Sequence, residues 1–122
     1  MSSNNEDDDE DVVTPRESGS LPRWPIHAGR CESAALQLDK VAYHNLAQAL
    51  RKRKVTFEID IKGARTCEEN AQRCRELANK FRNLAQIFTS WERVDPGIEK
   101  RLEVIGEMYD TARFAKTWGV KL

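Results

Sequence analysis

Apolar residues recur at spacings of three and four along three stretches of the chain. This spacing places the apolar side chains on one face of a helix and leaves the other faces polar. The stretches predict helices over residues 33–53, 66–93 and 96–118. The connection between the second and third helices is short, so they are expected to pack antiparallel. The pattern therefore predicts an all-α fold, a small antiparallel three-helix bundle.

The middle helix carries the strongest pattern. Thr66 and Glu69 form a Thr-x-x-Glu capping box at its start. Apolar residues then repeat every seven positions in three columns: Cys67, Cys74, Phe81 and Phe88; Leu77, Leu84 and Trp91; and Ala71, Ala78 and Ala85. Alanines allow a neighbouring helix to approach closely. We expect this helix to be the central one, in a bundle or a coiled coil.

Capping residues mark the ends of the other two helices. Ser33 is a suitable N-cap for the first helix, and Asp95 followed by Pro96 suits the start of the third. Gly119 can adopt the left-handed conformation that ends a helix. The apolar face expected for the third helix consists of Ile98, Leu102, Ile105, Met108 or Tyr109, Ala112, Ala115 and Trp118.

Between the first two helices, residues 55–61 follow a different pattern. Apolar and polar residues alternate strictly, with Val55, Phe57, Ile59 and Ile61 as the apolar set. Alternation is typical of a half-buried strand, yet no second stretch shows a comparable signal to pair with it. Two interpretations stay open. The segment is an irregular or extended loop packed on the helices, or their helical continuation; or it pairs with a second copy or a target protein.

In residues 1–30 the apolar positions follow neither the helical period of 3.6 nor the strand period of two, and this segment holds three of the four prolines. We expect a disordered acidic arm here, followed by the helical bundle domain at 31–122. Leu21, Trp24 and Ile26 lie beside the prolines of this arm. They are candidates for contact with a partner, or with the chain's own bundle.

Charge divides the chain unevenly. The 20 basic and 20 acidic residues cancel, but residues 1–22 hold seven acids against one base. The rest of the chain is therefore basic, and the arm is a candidate internal competitor for an anionic partner. A basic run and two following bases form a candidate polyanion-binding surface around residues 51–65, although a nuclear-import signal or a solvated helix end fits the run equally. These candidates are Arg51, Lys52, Arg53, Lys54, Lys62 and Arg65.

The sequence shows no constellation of catalytic or metal-binding residues. The three cysteines are odd in number, and Cys67 and Cys74 would lie about 10.5 Å apart along one helix, too far for a disulfide. Reduced cysteines indicate an intracellular protein, cytoplasmic or nuclear. No glycine-rich phosphate loop is present, and the predicted core columns hold no ionisable side chain besides cysteine. We therefore expect no enzyme, cofactor or metal, and, without a long apolar run, no membrane partner.

These observations favour a non-catalytic intracellular protein–protein interaction module, an adaptor or a subunit of a larger complex. One alternative is nucleic-acid binding through the basic residues around 51–65. A second alternative is a homodimer that assembles through residues 55–61. The candidate partner-binding residues are Leu21, Trp24, Ile26, Val55, Phe57, Ile59 and Ile61.

Overall fold

The computed structural model describes residues 24–54 and 60–122, and these residues form helices without any strand. Helix α1 spans Trp24–Lys54, α2 spans Ile61–Ser90, α3 spans Ile98–Ala115, and a 3₁₀ turn follows at Lys116–Trp118. The all-α, three-helix prediction is confirmed. The expectations for a disordered arm and for an extended 55–61 segment fall largely on residues 1–23 and 55–59, which lie outside the described residues.

Helices α1 and α2 form a long antiparallel hairpin. Each has about 30 residues, which corresponds to about 45 Å of helix. Arg53 contacts Glu68 near the connection between the helices. At the opposite end, the rings of His27 and Phe88 lie 5.2 Å apart. Contacts between early residues of one helix and late residues of the other establish the antiparallel direction.

Small side chains fill most of the seam between α1 and α2. On α2 the buried residues besides Leu84 follow alternating spacings of three and four: Ala64, Cys67, Ala71, Cys74, Ala78, Phe81, Ala85 and Phe88. Alanines and a cysteine also dominate the buried face of α1. Because these side chains are short, the two backbones can approach closely along most of the hairpin. Helix α2 also contacts α3, which agrees with its expected central position.

Helix α3 covers only one half of this hairpin. Its Met108 and Val104 pack with Phe81, Phe88 and Leu38 into the main core, where all five are essentially inaccessible to solvent. We call this half, residues 24–42 and 78–122, the α3 end. The other half of the hairpin ends at the hairpin tip, residues 49–54 and 60–69. There a separate small cluster of Ala49, Ala64 and Cys67 closes the seam.

Helix α1 begins nine residues before the predicted position. Residues 24–30, which were expected in the arm, form its first turns, and Ser33 lies inside the helix rather than at its N-cap. Pro25 is tolerated because the first N–H groups of a helix have no intrahelical partner. Ala28 extends the buried face of α1 into this segment. The prolines were therefore misleading as signs of a non-helical arm at these positions.

Helix α2 also begins earlier than predicted, and the proposed capping box is wrong. Asp60 is the N-cap, and its Oδ1 accepts a hydrogen bond of 2.8 Å from the N–H of Gly63. A Cβ on Gly63 would lie 2.1 Å from the Asp60 carboxylate, so this close cap depends on glycine. Thr66 is already inside the helix, where its hydroxyl donates to the carbonyl of Lys62. Ile61 is therefore helical rather than the last residue of an extended segment.

Helix α3 is capped slightly differently from the expectation. Asp95 accepts a hydrogen bond of 2.9 Å from the N–H of Gly97, which is itself the N-cap with φ of 89°. The helix therefore starts at Ile98 rather than at Pro96. At the far end, Gly119 adopts a left-handed conformation with φ of 78°, as its sequence position predicted.

Candidate interaction surface on α3

Helix α3 carries two apolar stripes that are offset by one residue. The inner stripe consists of Val104, Met108, Thr111 and Ala115, and all four are buried against the hairpin. The outer stripe consists of Ile98, Leu102, Ile105, Tyr109 and Ala112. One residue corresponds to about 100° around a helix axis, so the outer stripe faces away from the centre of the core.

The outer stripe leaves large apolar side chains in solvent. Ile98 is 73% exposed, Leu102 66% and Tyr109 50%, while Ile105 and Ala112 are partly buried along the border with the core. Consecutive members lie one helical turn apart over about 21 Å. The stripe is therefore continuous, unlike the single apolar residues that any protein surface contains.

This arrangement corrects the face expected from the sequence. Ile98 and Leu102 were expected to point into the core but are exposed, and Val104 in the neighbouring register is buried instead. Of the two alternatives expected at the next position, Met108 is buried and Tyr109 is exposed. Both registers satisfy the spacing of three and four, so periodicity cannot choose between them. The presence of two apolar registers within residues 98–115 was the signal in the sequence that could have revealed an exposed stripe.

Three exposed acids lie on α3: Glu99, Glu103 and Glu107. At about 100° per residue, only Glu99 lies near the outer stripe, next to Leu102, whereas Glu103 and Glu107 lie on the other side of the helix. Lys100 pairs with Glu103 at 3.0 Å, while Glu99 and Glu107 form no ion pair among the described residues. An apolar centre with polar residues around it is the usual anatomy of a protein interface.

Helix α1 exposes apolar residues more sparsely. Leu36, Tyr43 and Leu50 are exposed at intervals of seven residues, which places them about 10.5 Å apart along the axis. Exposed Lys40 lies between the first two. These side chains are separate points rather than a continuous stripe, which makes them weaker candidates for a docking surface.

The chain folds back beyond α3 and forms a groove that continues the outer stripe. After Gly119, the side chain of Gln37 clamps the backbone of Lys121: Nε2 donates to its carbonyl at 2.9 Å, and Oε1 accepts from its N–H at 3.1 Å. The result is a groove of about 650 Å³, which we call the C-terminal groove. Its lining combines Tyr109, Ala112, Gly119, Val120 and Leu122 with three basic residues, Arg113, Lys116 and Lys121.

At the hairpin tip, the structure brings the six polyanion candidates to one end of the molecule but pairs two of them with acids. Arg53 makes two hydrogen bonds to Glu68, at 2.8 and 3.1 Å, and Lys52 lies 3.4 Å from Asp60. Hydrogen bonding to Arg53 lowers the pKa of Glu68, and the N–H of Gly63 followed by Lys52 lowers that of Asp60. The remaining candidates are exposed without an ion pair among the described residues: Arg51, Lys54, Lys62 and Arg65.

Three of the seven candidate partner-binding residues, Trp24, Ile26 and Ile61, lie among the described residues. Trp24 starts α1 and packs, half-buried, against the main core, while Ile26 beside it is exposed. Ile61 starts α2 at the opposite end of the hairpin. The remaining four lie outside the described residues: Leu21, Val55, Phe57 and Ile59. These predictions therefore stay untested, except that Ile61 is helical.

The three cysteines are free and buried. Burial, with a smaller effect of Glu32, raises the pKa of Cys31 to about 11, and burial also raises the pKa of Cys74. Both thiols are therefore protonated at neutral pH and poorly reactive. Within the described residues, no three His, Cys, Asp or Glu side chains are grouped to hold a metal ion.

No protein-family model, curated protein or solved structure matches this chain. In residues 24–54 and 60–122, no helix is both long and apolar enough to cross a membrane. The surfaces described above are therefore the basis for a functional assignment. Among them, the outer stripe of α3 stands out because the fold leaves it apolar, continuous and uncovered.

Proposed function

We propose that this chain is a non-catalytic protein–protein interaction module, an adaptor or a subunit of a larger complex, which binds a partner through the outer stripe of α3. The observation that carries the proposal is the continuous row of apolar side chains from Ile98 to Ala112, in which Ile98, Leu102 and Tyr109 are exposed and Ile105 and Ala112 are partly buried. Exposed apolar surface rimmed by polar residues is characteristic of interaction sites.

The shape and charge of this surface favour a helical partner. Anchors at spacings of three, four and seven residues along a straight helix fit the apolar face of a second amphipathic helix. Glu99, which forms no ion pair among the described residues, lies near Leu102 and favours a basic residue at the matching end of the partner's apolar face. The expected partner is thus an amphipathic helix of another protein.

Three leucines of similar exposure provide a matched test. Leu102 on α3 is 66% exposed, Leu36 on α1 61%, and Leu50 near the tip 57%. Each is changed to Ser, and each variant is used as bait for affinity capture. Direct binding of every purified captured protein is then measured by calorimetry.

The proposal expects Leu102→Ser to weaken binding at least tenfold, which corresponds to about 1.4 kcal/mol. Leu36→Ser and Leu50→Ser should leave the affinity within about twofold. The proposal fails if no captured protein binds directly, or if Leu50→Ser weakens binding while Leu102→Ser does not.

Nucleic-acid binding through the hairpin tip is the alternative. It is supported by the convergence of six basic residues at one end, four of which form no ion pair among the described residues. Fluorescence anisotropy with labelled DNA and RNA at two salt concentrations tests it. This alternative expects affinity to fall steeply with salt and to drop in the double variant Lys54→Glu/Lys62→Glu. Absence of binding at low salt would exclude it.

A homodimer through residues 55–61 is the second alternative. Val55, Phe57 and Ile59 lie outside the described residues, and Ile61 belongs to α2. Proline cannot donate a ladder hydrogen bond, so Ile59→Pro should convert a strand-paired dimer to monomer in sedimentation experiments. A chain that is monomeric before the substitution, or dimeric after it, contradicts this alternative.

We also propose an intracellular location, in the cytoplasm or nucleus. The support is chemical: three free, buried cysteines are typical of a reducing compartment. Fractionation of cells that express a tagged chain tests the location directly.

A further inference from the structure

The C-terminal groove combines an apolar floor with basic residues. Tyr109, Ala112, Val120 and Leu122 line it, and the lining also includes the basic residues Arg113, Lys116 and Lys121. Neither lysine forms an ion pair with any described residue. The acid nearest the groove in sequence, Asp110, is paired with Arg113. The groove therefore fits a short segment that carries both apolar and acidic side chains.

The chain itself contains such a segment. Residues 6–11 are six consecutive acids, Glu-Asp-Asp-Asp-Glu-Asp, followed directly by Val12 and Val13. Two adjacent valines supply small apolar groups for the floor, and the acidic run supplies the charge that complements the two lysines. The segment therefore complements the groove in both charge and polarity.

The lengths of chain and helix also match. Gln37, which clamps Lys121, is 13 residues after Trp24, so the groove lies about 20 Å along α1 from that residue. Val13 is 11 residues before Trp24. Eleven residues span at most about 36–40 Å when fully extended, and a flexible chain of that length spans about 17–20 Å on average. The groove is therefore within easy reach of the valines.

The basic hairpin tip is a poorer target for the same acids. Lys54 lies 30 residues after Trp24, or about 45 Å along α1. Asp11 is 13 residues before Trp24, which gives a reach of about 43–47 Å at full extension. Docking of Asp11 there would require a nearly straight connection. Glu6, 18 residues before Trp24, has a reach of about 59–65 Å, but its connection would still have to be more extended than docking in the groove requires, which lowers the effective concentration of the acids at the tip.

We infer that the C-terminal groove is the docking site for the acidic segment of this same chain, with Val12 and Val13 against the apolar floor and the acids of residues 6–11 against Lys116 and Lys121. The groove shares Tyr109 and Ala112 with the outer stripe, but the occupant inferred here is the chain's own arm, and the experiment below tests that contact without any partner.

Amide NMR spectra of the full ¹⁵N-labelled chain test the inference. The groove variant is Lys116→Glu/Lys121→Glu, and the arm variant is Val12→Ser/Val13→Ser. The matched control, Lys54→Glu/Lys62→Glu, removes the same two charges at the tip. The groove variant should shift the signals of residues 6–13, the arm variant should shift those of residues 109–122, and the control should shift neither set.

A charge exchange separates docking from simple damage to the fold. Asp7→Lys/Asp9→Lys/Asp11→Lys, added to the groove variant, should restore the arm signals towards a docked state. The shifts should also be unchanged over a tenfold range of protein concentration, because the contact is intramolecular. The inference would be overturned if the arm variant left the signals of residues 109–122 unchanged. It would also be overturned if the arm variant shifted the signals of the hairpin tip instead, or if the shifts depended on protein concentration.

Discussion

The hairpin tip and the α3 end differ in what holds them together and in what they expose. At the tip, the buried cluster among residues 49–54 and 60–69 consists of three small side chains, and the surface bases Lys52 and Arg53 pair with neighbouring acids. At the α3 end, large side chains such as Phe81 and Met108 fill the core, while Ile98 and Leu102 remain in solvent. The tip pairs two of its six bases with neighbouring acids, whereas the α3 end leaves large apolar side chains exposed.

This difference separates features that stabilise the fold from features available for binding. Exposed ion pairs between neighbouring elements contribute little stability and need no partner. An exposed apolar side chain lowers the free energy of the system only when a partner removes it from water. The α3 end is therefore where a partner has most to gain, although the charge run at the tip is the more conspicuous feature of the sequence.

The sharpest way to break this comparison is to truncate one residue from each stripe of α3. Met108 is fully buried, so Met108→Ala should cost about 2–5 kcal/mol of unfolding free energy. Leu102→Ala removes a mostly exposed side chain and should change that free energy by no more than about 0.5 kcal/mol. Urea unfolding followed by circular dichroism measures both. Equal costs would show that the two stripes are not distinguished by burial.

The clamp at the end of α3 should have a smaller effect. Gln37→Ala removes two hydrogen bonds to the backbone of Lys121. Each such bond contributes about 0.5–1.5 kcal/mol in general, and partial exposure favours the lower values, so a loss of about 1 kcal/mol is expected. Amide exchange at residues 119–122 should quicken as well. Unchanged exchange there would mean that the clamp does not hold this segment.

A stabilising substitution is expected within α3 itself. Gly106 is exposed in the middle of the helix, and an added Cβ would meet no atom within 4 Å. Gly106→Ala should therefore raise stability by about 0.5–1 kcal/mol, because alanine loses less backbone entropy in a helix. The same urea titration measures the change. A loss of stability would indicate that α3 is packed differently around this position.

The smallest effect is the pH dependence of the tip. The pKa values of Asp60 and Glu68 are lowered in the folded chain, so their contribution to stability is present above the unfolded values near 4 and is lost as the pH falls through the folded values. Both groups are exposed, so the change should be slight. In thermal unfolding between pH 5 and 3, Asp60→Asn/Glu68→Gln should respond less steeply than the native chain. Equal slopes of Tm against pH for the two chains would contradict the contribution assigned to Asp60 and Glu68.

Periodicity predicted those parts of the fold in which a single apolar register exists. On α2, Cys74, Phe81 and Phe88 are buried as their seven-residue column indicated. Periodicity failed for α3, where two registers compete and packing against the hairpin decides between them. It also failed at the helix starts, because Pro25 is compatible with a first turn and the Asp60 cap stands within the alternating segment.

The same limit explains why the candidate interaction surface could not be predicted from the sequence. Charge runs such as residues 51–54 are visible in a sequence, but their ion pairs with Asp60 and Glu68 depend on the hairpin. The exposure of Leu102 and Tyr109 depends in turn on which stripe of α3 faces the core. Both facts arise from tertiary packing, which local spacing does not encode.

Hydrogen exchange of the full chain, with and without its captured partner, tests the central claim most directly because it compares both regions in one experiment. Binding through the outer stripe should slow amide exchange across residues 98–115 and leave residues 49–54 and 60–69 unchanged. Slower exchange at the hairpin tip, with α3 unaffected, would contradict the assignment of the interaction surface to α3.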